Sequence, residues 1–337
     1  MAKQSAAPLL SVQNLATSFS RRGQSNVRVV DDVSFEVAEG EVVAIVGESG
    51  SGKSMTALSV IGLLKRGGNV VSGSIAFQGE NLTKLSAKER RRHHGKDMAM
   101  IFQEPMSSLN PMMRIKAQLA EAVAIHQRSL SKKDIYHEVL RLLELVDIPD
   151  PKAVAERFPH QLSGGMRQRI VIAFAIAHRP KLLIADEPTT ALDVTVQANI
   201  LDLIHKLHTE NQTGVIFITH DLNVVAEMAD RVLVMYAGRI VEESSVYNLF
   251  DDPKHPYTIG LMEAMPTLDE LEATLASIPG TAPDLANLPE GCPFHPRCPK
   301  ARAECKSDMP PLRELRQGHS VRCLFPGKEE ENLGDTN

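Results

Sequence analysis

Apolar positions recur along this chain with two periods, and the changes of period outline alternating strands and helices. Between residues 9 and 80 apolar and polar residues alternate over short runs, as in Val27-Arg28-Val29-Val30-Asp31-Asp32-Val33-Ser34-Phe35-Glu36-Val37. That alternation predicts small half-buried strands, with turns at Glu39-Gly40 and Ser72-Gly73. Four runs are apolar throughout: Val42-Val43-Ala44-Ile45-Val46, Met98-Ala99-Met100-Ile101-Phe102, Leu182-Leu183-Ile184-Ala185 and Val215-Ile216-Phe217-Ile218. Short apolar runs of this kind read as buried strands. Helical spacing takes over at 55–64, at 170–177 and across 114–160, where Val139-Leu140-Arg141-Leu142-Leu143-Glu144-Leu145-Val146 is followed by Pro149 and Pro151, expected to end that helix.

Composition narrows the class. The 337 residues are 43% hydrophobic and 23% charged, as in an ordinary globular protein with a large core. A net charge of −5 argues against a broad nucleic-acid-binding face, and no nucleic-acid partner is expected. The longest apolar run, 170–177, has eight residues, far short of the ~18 of a membrane span. The N-terminus leads into no signal-peptide core. A cytosolic location follows as an expectation, with any membrane contact made through a partner. The basic run Lys88-Glu89-Arg90-Arg91-Arg92-His93-His94-Gly95-Lys96 reads as a solvated helix end.

The chemistry concentrates where the buried strand 41–46 runs into Gly47-Glu48-Ser49-Gly50-Ser51-Gly52-Lys53-Ser54 and then a helix. Glycines let such a loop turn its N–H groups, together with the helix N-terminus, toward an anion. Lys53 then reaches the β- and γ-phosphates, and the Ser54 hydroxyl takes a place on Mg²⁺. Gln103 leaves a strand beside this loop, where a glutamine can hold Mg²⁺ and an attacking water. The strand 181–185 ends in Asp186-Glu187, which divide as a Mg²⁺ holder and a base for water. Asp193 follows closely, and His220 ends the next strand, positioned to touch a γ-phosphate. Phe19, upstream of the loop, is either an adenine-stacking ring or a core residue.

A second anion site opens the helix at Leu162-Ser163-Gly164-Gly165-Met166, because small residues precede an apolar helical run. One γ-phosphate needs one cradle. Two such sites per chain are reconciled by a dimer in which each loop faces the other subunit's nucleotide.

In this order, these residues resemble the ATP-binding-cassette family. The phosphate loop, Gln103, Leu162-Ser163-Gly164-Gly165, Asp186-Glu187, Asp193 and His220 match its Walker A, Q-loop, signature, Walker B, D-loop and H-switch. The likeness covers residues 9–250. It departs at Met166, where the family has glutamine, while Ser163 and Gly165 are kept. More narrowly, Gln103-Glu104-Pro105-Met106-Ser107-Ser108-Leu109-Asn110-Pro111, Asp186-Glu187-Pro188-Thr189-Thr190-Ala191-Leu192-Asp193-Val194-Thr195 and His255-Pro256-Tyr257-Thr258 resemble ATPase subunits of bacterial dipeptide and oligopeptide importers. Nickel, glutathione and opine importers share that subfamily.

The resemblance implies an α/β fold: a RecA-like P-loop core, an antiparallel β-subdomain and a helical subdomain at about 104–165. It places a nucleotide-binding domain over residues 1–255 and a cysteine-bearing C-terminal extension over 256–337. It implies ATP and Mg²⁺ as cofactors and a second ATPase subunit, related but different, as one partner. The others are two membrane permeases and a periplasmic or extracellular solute-binding protein, with the chain peripheral on the cytoplasmic face of the inner membrane. Import of di- and oligopeptides or related solutes is the expected function. The rivals are a chromosome-maintenance or translation-type ATPase and a non-catalytic ATP-gated clamp with a metal-sensing extension. Lys53 and Ser163 lie only 110 positions apart, too close for an inserted coiled coil, and each motif occurs once.

Beyond His255 the composition shifts toward proline, and all four cysteines lie there: Cys292, Cys298, Cys305 and Cys323. Structural disulfides are disfavoured in a reducing cytosol. Zinc accepts four thiolates, yet the usual close pair is absent. Unligated buried thiols and an iron–sulfur cluster compete with these, the latter with turns at Cys292-Pro293 and Cys298-Pro299 and with His295 able to replace one thiolate. The extension resembles the C-terminal region of peptide-importer ATPases, some of which carry a [4Fe–4S] cluster, and that is the expectation.

Overall fold

The computed structural model describes residues 7–20, 26–104, 108–190, 192–265 and 278–327. Pro105, Met106, Ser107 and Ala191, quoted in the motifs above, lie outside the described residues. The strands are β1 (Leu10–Phe19), β2 (Val27–Val37), β3 (Val42–Val46), β4 (Gly68–Phe77), β5 (Glu80–Asn81), β6 (Met98–Ile101), β7 (Leu182–Asp186), β8 (Gly214–Ile218), β9 (Arg231–Tyr236), β10 (Arg239–Ser245), β11 (Arg313–Arg316) and β12 (His319–Val321).

All four continuously apolar runs become parallel strands of one eight-stranded sheet, ordered β11-β12-β10-β9-β3-β8-β7-β6. Its five strands from β9 to β6 are parallel. Their side chains are buried on both faces, which explains why these stretches show no alternation. In β3, Val43 and Ile45 pack with strands of the smaller sheet, whereas Ala44 and Val46 pack with Tyr257 and Phe294 from beyond residue 255. The alternating segments form the second sheet, β2-β1-β4-β5, antiparallel throughout.

On the β6 side a helical layer comprises Ile115–His126, Lys132–Leu145 and Pro151–Ala155, with Gly164–Ile176 packed in the same core. The prolines act differently from the sequence expectation. The helix Lys132–Leu145 stops before them, and Pro151 instead opens a new short helix capped by Asp150. Proline at a first helical position suits the element because the missing N–H has no intrahelical partner there. In the basic run Lys88, Glu89, Arg91, Arg92 and Lys96 are exposed, while its two histidines are tied down. His94 bonds the Ile61 carbonyl at 2.8 Å, and His93 pairs with Asp97 at 3.0 Å.

Residues beyond 255 extend the core sheet. The hairpin β11-β12 adds to β10, which itself turns back from β9 through Ala237-Gly238, both at positive φ as a tight two-residue hairpin requires. Glu242 on β10 is fully buried, and its carboxylate accepts from His319 Nε2 and from the N–H groups of Lys254 and His255, each at 2.7 Å. A buried carboxylate with three donors is satisfied; losing any one of them would leave a costly orphan. Arg322 stitches the same segment to β2 through Asp32, at 3.0 Å. Among the described residues no helix is long and apolar enough to cross a membrane.

Candidate functional site

The parallel strands deliver the candidate residues to one end of the sheet. Gly47, at φ 146°, leaves β3, and a Cβ there would meet the Met235 carbonyl at 2.2 Å. Gly52, at φ 105°, caps the helix Lys53–Ile61, and a Cβ on it would press on the Val29 carbonyl at 2.8 Å. Only glycine allows that path. No side chain caps this helix, so its first N–H groups remain free to bind an anion. Ser49 and Gly50 lie at the loop surface, and Ser51 Oγ is buried without a partner.

Lys53 is 6% exposed, and its ammonium donates to the carbonyls of Gly47 (2.7 Å) and Glu48 (2.9 Å). Burial lowers its pKa, opposed by the charges of Glu187, Asp186 and Glu48. A buried cation with only carbonyl acceptors, beside an uncapped helix start, fits a phosphate. Ser54 Oγ donates to Asp186 Oδ1 at 2.9 Å, and burial raises the Asp186 pKa. A hydroxyl and a carboxylate in contact at the phosphate loop are a donor set suited to Mg²⁺.

Glu187 follows Asp186 with φ 48°, a left-handed conformation that costs a non-glycine residue energy. Its N–H bonds the Ile218 carbonyl at 2.9 Å. Glu187 Oε2 accepts from Gln103 Nε2 (2.9 Å) and Thr190 Oγ1 (2.8 Å), with His220 Nδ1 at 3.6 Å. Four sequence-predicted residues thus meet around one carboxyl and its neighbour: Gln103, Asp186, Glu187 and His220. Thr190 was quoted only as part of a motif, and its contact depends on the turn after β7.

The signature and D-loop residues form a second group. Ser163 caps the helix Gly164–Ile176, accepting from Met166 N at 3.3 Å. Asp193 caps the helix Val194–Asn211, accepting from Val196 N at 2.9 Å. The helices touch at their starts, where a Cβ on Gly165 would meet Val196 at 2.8 Å. Buried Gln168 donates to the Pro188 carbonyl at 2.6 Å, tying this group to the segment after Glu187. Ser163, Gly164 and Asp193 are exposed. Phe19 sits at the end of β1 against the Gly68 backbone.

Glu48 behaves unlike its neighbours in the loop. Its carboxylate is bound by Arg297 and its N–H by the Tyr257 hydroxyl, both from beyond residue 255. Nothing in the spacing of the sequence pointed to Arg297. His255-Pro256-Tyr257 was visible as a motif, but not as a support of the loop.

Comparison with known proteins agrees with this geometry. The ABC transporter family matches residues 30–190, and the oligopeptide/dipeptide transporter C-terminal region matches residues 241–305. The chain is 47% identical over 329 residues to the oligopeptide transport ATP-binding protein OppD of Escherichia coli, covering 98% of this chain and 96% of that protein. It is 46% identical to the dipeptide transport ATP-binding protein DppD of Escherichia coli (94% of this chain, 97% of that one). It is also 46% identical to AppD of Bacillus subtilis, another oligopeptide transport ATP-binding protein (95% and 98%). The chain belongs to the ABC transporter ATP-binding proteins. Among solved structures, the cassette MJ0796 in a dimeric post-hydrolysis state bound to ADP and Pi superposes with TM-score 0.64 at 26% identity, over 70% of this chain and 98% of that one.

The four cysteines of this ABC protein are free thiols lining one cavity with His255, Phe294 and His295. Burial raises the thiol pKa of Cys292 and Cys298 and pushes Cys323 up to about 11. Among the described residues no group of three or more His, Cys, Asp or Glu side chains is arranged to hold a metal ion. The expected ligand set Cys292, Cys298, Cys305 and Cys323 is therefore gathered into one pocket, but without metal-holding geometry.

Proposed function

We propose that this chain is the ATP-hydrolysing subunit of an ABC importer that energises uptake of di- and oligopeptides or related small solutes through partner permeases. The observation that carries the reading is the joining of two groups at one sheet end: Lys53 with the phosphate loop, and Glu187 with Gln103, Thr190 and His220 around it. The full-length likeness to OppD, DppD and AppD favours the importer over a non-transport ATPase or a clamp.

In this reading Gly47, Glu48, Ser49, Gly50, Ser51 and Gly52 shape the loop, and Lys53 meets the β- and γ-phosphates. Ser54, Asp186 and Gln103 hold Mg²⁺, which when bound neutralises charge on the phosphate oxygens. Glu187 takes the proton of the attacking water, and His220 contacts the γ-phosphate. Phe19 offers its ring to adenine. Ser163, Gly164, Gly165 and Asp193 act across a dimer on the partner's nucleotide, a role that suits the exposure of Ser163, Gly164 and Asp193. Residues 1–255 make the nucleotide-binding domain, with a helical subdomain at about 104–165, and 256–337 the extension.

Partners are a second, related ATPase chain, two membrane permeases and a solute-binding protein outside the membrane. The chain sits peripherally on the cytoplasmic face of the bacterial inner membrane. A dimer mixed from Lys53→Ala and Ser163→Arg chains tests the shared site: at most one working site per dimer is expected. ATP-driven dimerisation untouched by Ser163→Arg would overturn it.

The convergence of four thiols on one cavity supports a [4Fe–4S] cluster held by Cys292, Cys298, Cys305 and Cys323. Such a cluster would fix the pocket walls, since binding free energy becomes folding free energy. Anaerobically purified protein should be brown, with iron and sulfide in equal amounts, and Cys298→Ser should lose the colour. Colourless protein with stoichiometric zinc, or with four titratable thiols, would refute the cluster.

A further inference from the structure

The extension reaches back to the phosphate loop at Glu48, the second residue of the loop, and holds it by two separate contacts. Arg297 binds the carboxylate with both terminal nitrogens, Nη1 to Oε2 at 2.7 Å and Nη2 to Oε1 at 2.9 Å. Tyr257 Oη accepts from the Glu48 N–H at 2.7 Å.

Both holders are themselves fixed. The Arg297 side chain is 6% exposed, and its remaining donors go to the Pro279 carbonyl (2.8 Å), the Ile278 carbonyl (3.3 Å) and Tyr236 Oη (3.4 Å). Tyr257 is fully buried at the start of the helix Pro256–Glu263 and packs against Tyr236 and Phe294. His255 Nδ1 accepts the Tyr257 N–H at 3.0 Å, and buried Glu242 accepts the His255 N–H. The motif His255-Pro256-Tyr257 thus has a physical meaning. Histidine caps the helix, proline occupies its first turn, and tyrosine reaches the loop.

The contact continues to the nucleotide cradle. Lys53 Nζ donates to the carbonyl of Glu48, the residue whose N–H and carboxylate the extension holds. Displacing Glu48 therefore displaces an acceptor of the lysine that meets the phosphates. An unpaired Glu48 carboxylate would also add negative charge beside a site for a polyanion, and Arg297 cancels it. A buried ion pair is weak evidence for stability in itself, and a bidentate fork fixes position more than it adds energy.

We propose that Arg297 and Tyr257 are positioning residues of the nucleotide site, through which the C-terminal extension sets the affinity of the phosphate loop for ATP. The inference rests on the reading of that loop as an ATP site. It makes the extension a controlling part of the ATPase: loosening it is read as weaker nucleotide binding, with the hydrolytic groups around Glu187 untouched.

The test uses the full-length chain and Mg-ATP. Equilibrium affinity is measured in a Glu187→Gln background, and KM and kcat are measured with Glu187 intact. Arg297→Gln should weaken binding and raise KM by about tenfold, the scale of one lost charge-assisted contact, while kcat changes less than about twofold. Tyr257→Phe should raise KM by about threefold. Glu48→Gln combined with Arg297→Gln removes both charges, and its affinity should return to within about threefold of the parent. A merely structural role would lower kcat with KM or leave both unchanged, and would show no rescue in the double variant.

If Arg297→Gln fails to fold, Tyr257→Phe and the charge-free double variant decide alone. Lys53→Ala separates the two readings. If the parent binds no ATP, or Lys53→Ala binds it equally well, the ATP site is refuted and the inference with it. If binding depends on Lys53 but the remaining folded variants match the parent, the positioning role alone is overturned.

Discussion

Around the phosphate loop, Lys53 and Asp186 are buried while the proposed companions of the site stand open: the His220 side chain is 66% exposed, and Ser163 and Asp193 lie on the surface. Around the cysteines the reverse holds. Phe294 is 2% exposed among Tyr236, Tyr257 and His255, Cys305 is buried, and Cys292, Cys298 and Cys323 are half-buried. The open site is built from strained or uncapped backbone at the ends of parallel strands, where ligands of α/β sheets bind. The closed one is built from aromatic packing and a satisfied buried carboxylate. A site that takes a polyanion needs donors left accessible to it, whereas a segment that braces a loop packs against the chain itself.

The sharpest break of this contrast is Glu187→Gln. Removing the base while keeping its shape should lower turnover by about 10²–10⁴-fold and leave ATP bound. Steady-state hydrolysis beside nucleotide retention checks it, with each site of a mixed dimer assayed separately. Near-normal turnover would remove Glu187 from its role.

On the closed side, Phe294→Ala should cost about 3–5 kcal/mol of stability, the usual scale for emptying a buried ring. Limited proteolysis should then cut after residue 278 while the helical layer stays protected. Loss restricted to the helical layer would contradict the packing described here.

A third outcome concerns pH. Burial lowers the His255 pKa from 6.5 to about 4, outweighing the attraction of Glu242. The folded state therefore refuses a proton that the unfolded chain accepts. Stability from this group is complete above pH ~6.5 and falls by up to about 1.4 kcal/mol per pH unit as pH drops toward ~4. Denaturant unfolding of the parent and His255→Asn, which keeps a cap acceptor, should converge at low pH; parallel curves would refute the buried neutral histidine.

The smallest effect is expected at Thr190→Val. Glu187 would lose one of its donors, and kcat should fall by about 2–10-fold, in line with one hydrogen bond. Unchanged kcat would show that Gln103 and His220 suffice to orient the carboxylate.

The sequence alone determined the phosphate loop, the buried strands β3, β6, β7 and β8, the small alternating strands around that loop and the order of the candidate site residues. These depend on local facts: hydrophobic period, glycine at left-handed positions, and short motifs whose spacing is set by one strand and one turn. Tertiary structure alone decided what meets across long separations. Glu48 and Arg297 are 249 positions apart, and Gln103 and Glu187 are 84 apart. Thr190 on Glu187 depends on a positive-φ turn that no pattern announced. The cysteines show the same limit from the other side, since their spacing suggested a ligand set while folding placed them in an aromatic-walled pocket without metal-holding geometry. A contact between distant segments is fixed by how sheet, helix and hairpin pack, and a linear pattern carries only each segment's own share of that packing.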